Sequence, residues 1–280
     1  MEWVRKYRQW CSFRLAGDTT GTFEVARRAR RKSKRPKNSL VSRQCRPLCS
    51  IMLPDESTGS KPLGTEGVRM SATGLDASNI LDWRTWGDSD YVAARRLLLD
   101  ELLVQGACLA NTAIEKYIKA ILVIQKRPVP HIHDPLVLYH RIAPGGTLLL
   151  DEQFLGHLVK AYALRYPDDL KPGFNIVLSQ ALLLDALDQS VFGIRSRFRF
   201  RNADGSPVTS LLDHLLDSKD ARILTNNTAM RTVTQEELFN RPSAVFEMRI
   251  LDNGGRLEAH YLTEKIKPHG FDGEALKPNK

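Results

Sequence analysis

The chain has 280 residues, 42% of them hydrophobic, and a net charge of +9, but residues 1–69 hold 16 Lys and Arg against 6 Asp and Glu while the remainder is close to neutral. Three of the four cysteines, Cys11, Cys45 and Cys49, crowd that same quarter and leave only Cys108 elsewhere, which excludes a disulfide framework and gives zinc no second ligand pair. No apolar run approaches the roughly 20 residues of a bilayer span and no signal-peptide core opens the chain, so the expectation is a cytoplasmic protein with no membrane segment, metal or cofactor.

Residues 1–75 show no sustained hydrophobic period. They contain the run Arg27-Arg28-Ala29-Arg30-Arg31-Lys32-Ser33-Lys34-Arg35-Pro36-Lys37, followed by a Pro, Gly and Ser-rich stretch to Thr73. Charges this dense repel one another and resist packing. The stretch reads either as a disordered basic arm, able to contact phosphates through counterion release, or as an over-extended start upstream of Met70. Beyond it the pattern turns helical. Apolar residues recur every three or four positions from Asp88 to Leu103 behind an acidic N-cap run. A second helix is expected from Ala107 to about Lys126, ended by Arg127-Pro128-Val129-Pro130. A short third fits Asp134 to Ile142, a fourth Asp151 to about Tyr166, and a fifth Phe174 or Asn175 to Phe192 or beyond.

Short, proline-punctuated links between these helices predict an all-α, four- to five-helix up-and-down bundle over residues 83–200. Residues 201–280 read as a small C-terminal extension. It has a turn at Asn202-Ala203-Asp204-Gly205, one more helix over 208–216, and a β-hairpin joining 244–250 to 257–262 through Asn253-Gly254-Gly255.

Several residues are candidates for contact with a phosphate or base. Lys116 and Lys119 share a helical face, which suits a phosphate groove or simply a solvated surface; Glu115 to Lys119 is an i,i+4 pair worth a few tenths of a kcal/mol. His133, in His-Asp-Pro, opens the third helix as a ligand contact or as turn chemistry. Arg165-Tyr166 puts a guanidinium beside an aromatic ring, useful to a base or phosphate. In Ile194-Arg195-Ser196-Arg197-Phe198-Arg199-Phe200-Arg201, arginine alternates with Ile, Ser and two Phe. That alternation makes Arg195 and Arg197 candidates for nucleic-acid contact, and it equally fits an edge strand. Trp83 and Trp86 read as hydrophobic anchors.

Asp90-Tyr91 and Ala94, then Ala110, Ala113, Glu115-Lys116, Lys119-Ala120 and Leu122, together resemble the signature of the HEPN family. His131-Ile132-His133-Asp134 and Arg165-Tyr166-Pro167-Asp168 follow in the expected order. The resemblance covers roughly Asp88 to Phe192. It implies a HEPN-type helical bundle, often a homodimer, tied to RNA or nucleotide and to a nucleotidyltransferase or other toxin–antitoxin partner. Ribonucleases of the family use an Arg-x4–6-His motif at the final helix. Here Arg195, Arg197, Arg199 and Arg201 are followed by no histidine before His214, and Arg127 with His133 brackets a proline loop. The resemblance therefore implies an RNA- or nucleotide-binding protein rather than an enzyme. The alternatives are a metal-independent endoribonuclease with a non-standard site, such as Arg165 with His131 or His133, and a helical dimerisation or antitoxin-like module.

Overall fold

Two long helices, α1 (Gly74–Leu99) and α2 (Leu103–Ile124), form an antiparallel hairpin. Between them Glu101 adopts φ 63° and the Leu102 N–H donates to the Leu97 carbonyl at 2.9 Å, a left-handed reversal that satisfies the end of α1. The helices approach closely because α2 offers small residues: Ala107, Ala110 and Ala113 are fully buried. A Cβ on Gly106 would lie 2.7 Å from the Leu98 side chain and 3.1 Å from the Leu98 backbone nitrogen. Gly106→Ala should therefore lose about 1–3 kcal/mol of stability in urea denaturation, outweighing the better helix propensity of alanine, worth about 1 kcal/mol.

This computed structural model describes residues 49–53, 68–70, 74–142, 148–197, 199–202, 206–266 and 271, all within one compact unit, Leu48–Lys280. The side chains of residues before 79 and of 197–205 lie outside that description, as do the basic run 27–37 and the expected arm apart from 49–53, 68–70 and 74–75. Short helices follow α2. Pro135–Tyr139 (α3) is capped by Asp134, whose carboxylate accepts from the Val137 N–H. Glu152–Tyr162 (α4) is capped by Asp151, which accepts from Gln153 and Phe154. α4 tightens into a 3-10 turn, Ala163–Arg165, before Pro167. Later come α5 (Gln180–Arg197), α6 (Leu211–Asp217), α7 (Ala221–Leu224) and α8 (Gln235–Phe239).

The expected all-α class is corrected: the chain is mixed α/β. The predicted fifth helix in fact begins as a strand, Asn175–Ser179, with α5 starting only at Gln180. Numbering strands along the chain, β1 is Cys49–Leu53, β2 Val68–Met70, β3 Asn175–Ser179, β4 Arg199–Asn202, β5 Ser243–Ile250 and β6 Arg256–Thr263. The physical reason lies far along the chain. Ile176, Val177 and Leu178 find antiparallel partners in Met248, Glu247 and Phe246 of β5, and pairing plus burial overrides a helical period that those residues fit equally well. β5 in turn pairs with β6, giving one three-stranded sheet in the order β3-β5-β6. Its Ile176, Leu178, Ala244, Phe246 and Met248 belong to the same buried cluster as Leu98, Ile114, Phe154 and Leu187 of the helices. The sheet thus packs into the helical core through β3 and β5. A second antiparallel sheet has the order β2-β1-β4, so Cys49–Leu53 and Val68–Met70, inside the stretch expected as an arm, pair with each other and with Arg199–Asn202.

Two buried polar clusters tie the C-terminal segment to the helices. Arg95, fully buried, donates to Asp188 at 2.5 Å, to the Arg222 carbonyl at 3.0 Å and to the Thr225 carbonyl at 2.5 Å, while the Tyr91 hydroxyl donates to Asp188 at 2.8 Å. One guanidinium so links α1, α5 and α7. Beside it, Arg195 joins Asp88 at 2.7 Å and also Asp213, Arg84 joins Asp213 at 2.8 Å, and the Tyr117 hydroxyl donates to Asp88.

Candidate functional site

The α1–α2 pair carries more than packing on one of its sides. Thr112, Glu115, Lys116 and Lys119 recur at helical spacing on α2, and Trp83 and Asp90 answer them from α1. The 131–133 loop supplies His131 and His133, and the end of α4 supplies Tyr162 and Arg165. Together with Cys108 and Leu109 these residues line an open groove of about 630 Å³, within the usual size of small-molecule sites, about 300–1,000 Å³.

Its charges are nearly matched within the chain. Asp90 accepts from the Lys116 ammonium at 2.6 Å and from the Thr112 hydroxyl at 2.7 Å. Glu115 accepts from Lys119 at 2.6 Å, and His133 Nδ1 lies 3.1 Å from its other oxygen. Glu115 and Lys119 are each 4% exposed, so this is a desolvated ion pair, tolerable because both members find partners. The Asn111 amide also donates to the His133 carbonyl at 3.2 Å and so fixes the loop. Three permanent cations, Lys116, Lys119 and Arg165, thus face two carboxylates across the groove.

Arg165 differs from the lysines in what holds it. Its guanidinium lies 4.8 Å from the Tyr162 ring centre and 5.6 Å from that of Tyr166, and it donates to the Tyr162 hydroxyl. Aromatic stacking orients a guanidinium without neutralising it. Burial, helped by Glu115, raises the Tyr162 phenol above its ordinary value while Arg165 pulls against that rise. Burial likewise raises the Cys108 thiol, again opposed by Arg165. The His133 ring stacks on Tyr162 at 6.1 Å. Lys119 sits 5.3 Å over the Trp83 ring and Lys116 5.8 Å over that of Trp86.

Of the residues singled out in the sequence, Lys116, Lys119, His133 and Arg165 meet in this groove. Tyr166 is 55% exposed and contacts the groove only through Arg165. Arg195 is elsewhere: it lies on α5, and its ion pairs with Asp88 and Asp213 hold α1, α5 and α6 together. Arg197 is the last residue of α5, and its side chain lies outside the described residues. Arg127 donates to the Arg141 carbonyl at 2.6 Å and does not line the groove.

Sequence reasoning overlooked Asp90, Thr112 and Tyr162 as groove residues; Trp83, read as an anchor, packs on the cluster of Ile80, Ala120 and Ile124 and also lines the groove. Tyr162 stands three residues before Arg165, a spacing that places the two on one helical face; the pairing of Asp90 with Lys116 needed the helix hairpin. Comparison with family models, with curated proteins and with solved structures finds no match for this chain.

Proposed function

We propose that this chain binds RNA or a nucleotide through the α1–α2 groove, as a HEPN-like protein without the family's ribonuclease motif. One observation carries the reading: Lys116, Lys119, His133 and Arg165, from three separate parts of the chain, converge beside the rings of Trp83 and Tyr162 in a single groove. Cations with aromatic faces suit a phosphate and a base together, since base stacking on aromatic rings is worth about 1–3 kcal/mol per base. The homodimer, the nucleotidyltransferase or other toxin–antitoxin partner, and the cytoplasmic location belong to the same proposal. Among the described residues no helix is long and apolar enough to cross a membrane.

A second reading, metal-independent RNA cleavage, is favoured by the Glu115–His133 pair. A carboxylate on Nδ1 orients an imidazole for general acid–base work, and Arg165 in the same groove suits a phosphate.

The test is titration of the full chain with end-labelled single-stranded RNA and with mononucleotides across a salt series. RNA should bind and stay intact, with a log–log salt slope of about −0.7 for each phosphate engaged. Arg165→Ala should weaken binding about tenfold or more, the value of one charge-assisted hydrogen bond at about 1.5–3 kcal/mol, without altering the thermal midpoint. Cleavage that disappears in His133→Ala would replace the first reading by the second. Binding of neither RNA nor nucleotide would sink both.

A further inference from the structure

The strand β6 stands at the edge of its sheet in an unusual way. In the β5·β6 register, Ile250, Met248, Phe246 and Ala244 of β5 lie opposite Arg256, Glu258, His260 and Leu262 of β6. Directly opposed residues point to the same face. The four β5 residues are buried in the domain, so the four β6 residues lie on the core-facing side of the sheet, yet all four are exposed. The strand therefore overhangs the helical layer; the Phe246 ring reaches His260 at 4.7 Å, and within the strand Glu258 lies 3.2 Å from Arg256 and 3.4 Å from His260.

Among the described residues the backbone of β6 pairs with β5 alone. The segment Arg256-Leu257-Glu258-Ala259-His260-Tyr261-Leu262-Thr263 has no Pro, Gly or Lys, the residues that commonly protect an open edge from another strand. Two of the chain's exposed large apolar side chains, Tyr261 at 45% and Leu262 at 50%, lie on it. Its protection is its charges, Arg256, Glu258 and His260, which would clash with most incoming strands. One partner meets the Glu258 carboxylate with an imidazole. If a second copy pairs antiparallel about Ala259, Glu258 stands opposite the partner's His260, and His260 opposite the partner's Glu258. Leu257 then faces the partner's Tyr261, again twice.

We propose that β6 is a self-association edge, through which two copies join their sheets into one six-stranded sheet, β3-β5-β6-β6-β5-β3. The two-fold axis runs perpendicular to the sheet through Ala259, which keeps both helical layers on the same face. The inference gives a surface to the homodimer in the reading above and does not depend on the groove; RNA binding and dimerisation fail or survive separately.

Sedimentation velocity of the full chain over the micromolar range at neutral pH tests it. The chain should show a concentration-dependent dimer. His260→Glu sets two like-charged pairs face to face and should weaken dimerisation about tenfold, from roughly 0.2–1 kcal/mol per cross-strand pair on each side of the change. The double variant Glu258→His/His260→Glu exchanges the carboxylate and the imidazole and should restore the dimer, a rescue specific to this register. Circular dichroism of each variant should match that of the parent chain. A monomer at all concentrations, a dimer untouched by His260→Glu, or a double variant that stays monomeric would each overturn the proposal.

Discussion

Arg95→Met should cost the fold about 3–5 kcal/mol, because it leaves the Asp188 carboxyl buried without its cation. Both side chains of this pair are fully buried, and the guanidinium also satisfies the carbonyls of Arg222 and Thr225. The loss should therefore appear as detachment of the segment carrying α6 and α7, read by faster amide exchange there and by a lower urea midpoint. Burial pushes the Asp188 carboxyl from an ordinary value near 3.8 up to about 7, against the pull of Arg95 and Tyr91. The folded-state value is the higher one, so the unfolded chain releases this proton first. The group's favourable contribution is complete below about pH 4 and is lost as pH rises to about 7. Relative to Asp188→Asn, which has no such proton, the parent chain should lose urea stability between about pH 4 and pH 7. A difference that does not move with pH would show the carboxyl ionised throughout. The Arg95→Met defect should also be smaller in acid, where the abandoned carboxyl holds its proton.

Glu115→Gln should move ligand binding and stability in opposite directions. The carboxylate of Glu115 holds Lys119 and His133 at once. Removing its charge leaves Lys119, 4% exposed, without a counter-ion; the cost should be about 2 kcal/mol, since the glutamine oxygen still accepts from the ammonium. A phosphate in the groove gains what the fold loses. Deleting a unit negative charge some 8 Å away, at an effective dielectric constant of about 40, is worth about 1 kcal/mol, or roughly fivefold in affinity. The same salt titration reads the gain, which should shrink at high ionic strength. Unchanged affinity for both RNA and mononucleotide in Glu115→Gln would place the ligand elsewhere.

A groove whose lysines already have carboxylate partners is a tuned site rather than a bare basic patch. Lys116 and Lys119 each hold an acid residue in place, so in the proposed reading a phosphate would have to compete for them, and Arg165, held by aromatic rings, would be its first contact. The net positive charge of the chain comes from residues 1–69, since the remainder is close to neutral.

The local signals in the sequence were of two kinds. Period and punctuation were legible: α2 extends along the stripe that Tyr117, Ile121 and Ile124 announced and ends before Pro128, and Asp134 and Asp151 cap α3 and α4. The hairpin announced by Asn253-Gly254-Gly255 is present as β5 and β6. Those features depend on neighbours within a few positions. The start of α1 was missed, since Gly74 to Gly87 mixes polar and aromatic residues without a clean stripe.

What the sequence by itself determined was the pairing of residues one helical turn apart: Glu115 with Lys119, and the placing of Lys116 beside them. The tertiary structure decided what they face. It made β3 a strand, because its hydrogen-bond partner lies some seventy positions on in β5, a distance over which local propensity carries no information. It put Arg195 into a buried ion pair with Asp88, 107 positions earlier, although in sequence Arg195 stood as one of an alternating set of arginines. And it gathered His133, Tyr162 and Arg165 into one groove with Lys119, because helices of fixed length joined by short proline-stopped turns can bury their apolar stripes in few ways, and the polar residues flanking those stripes are carried along.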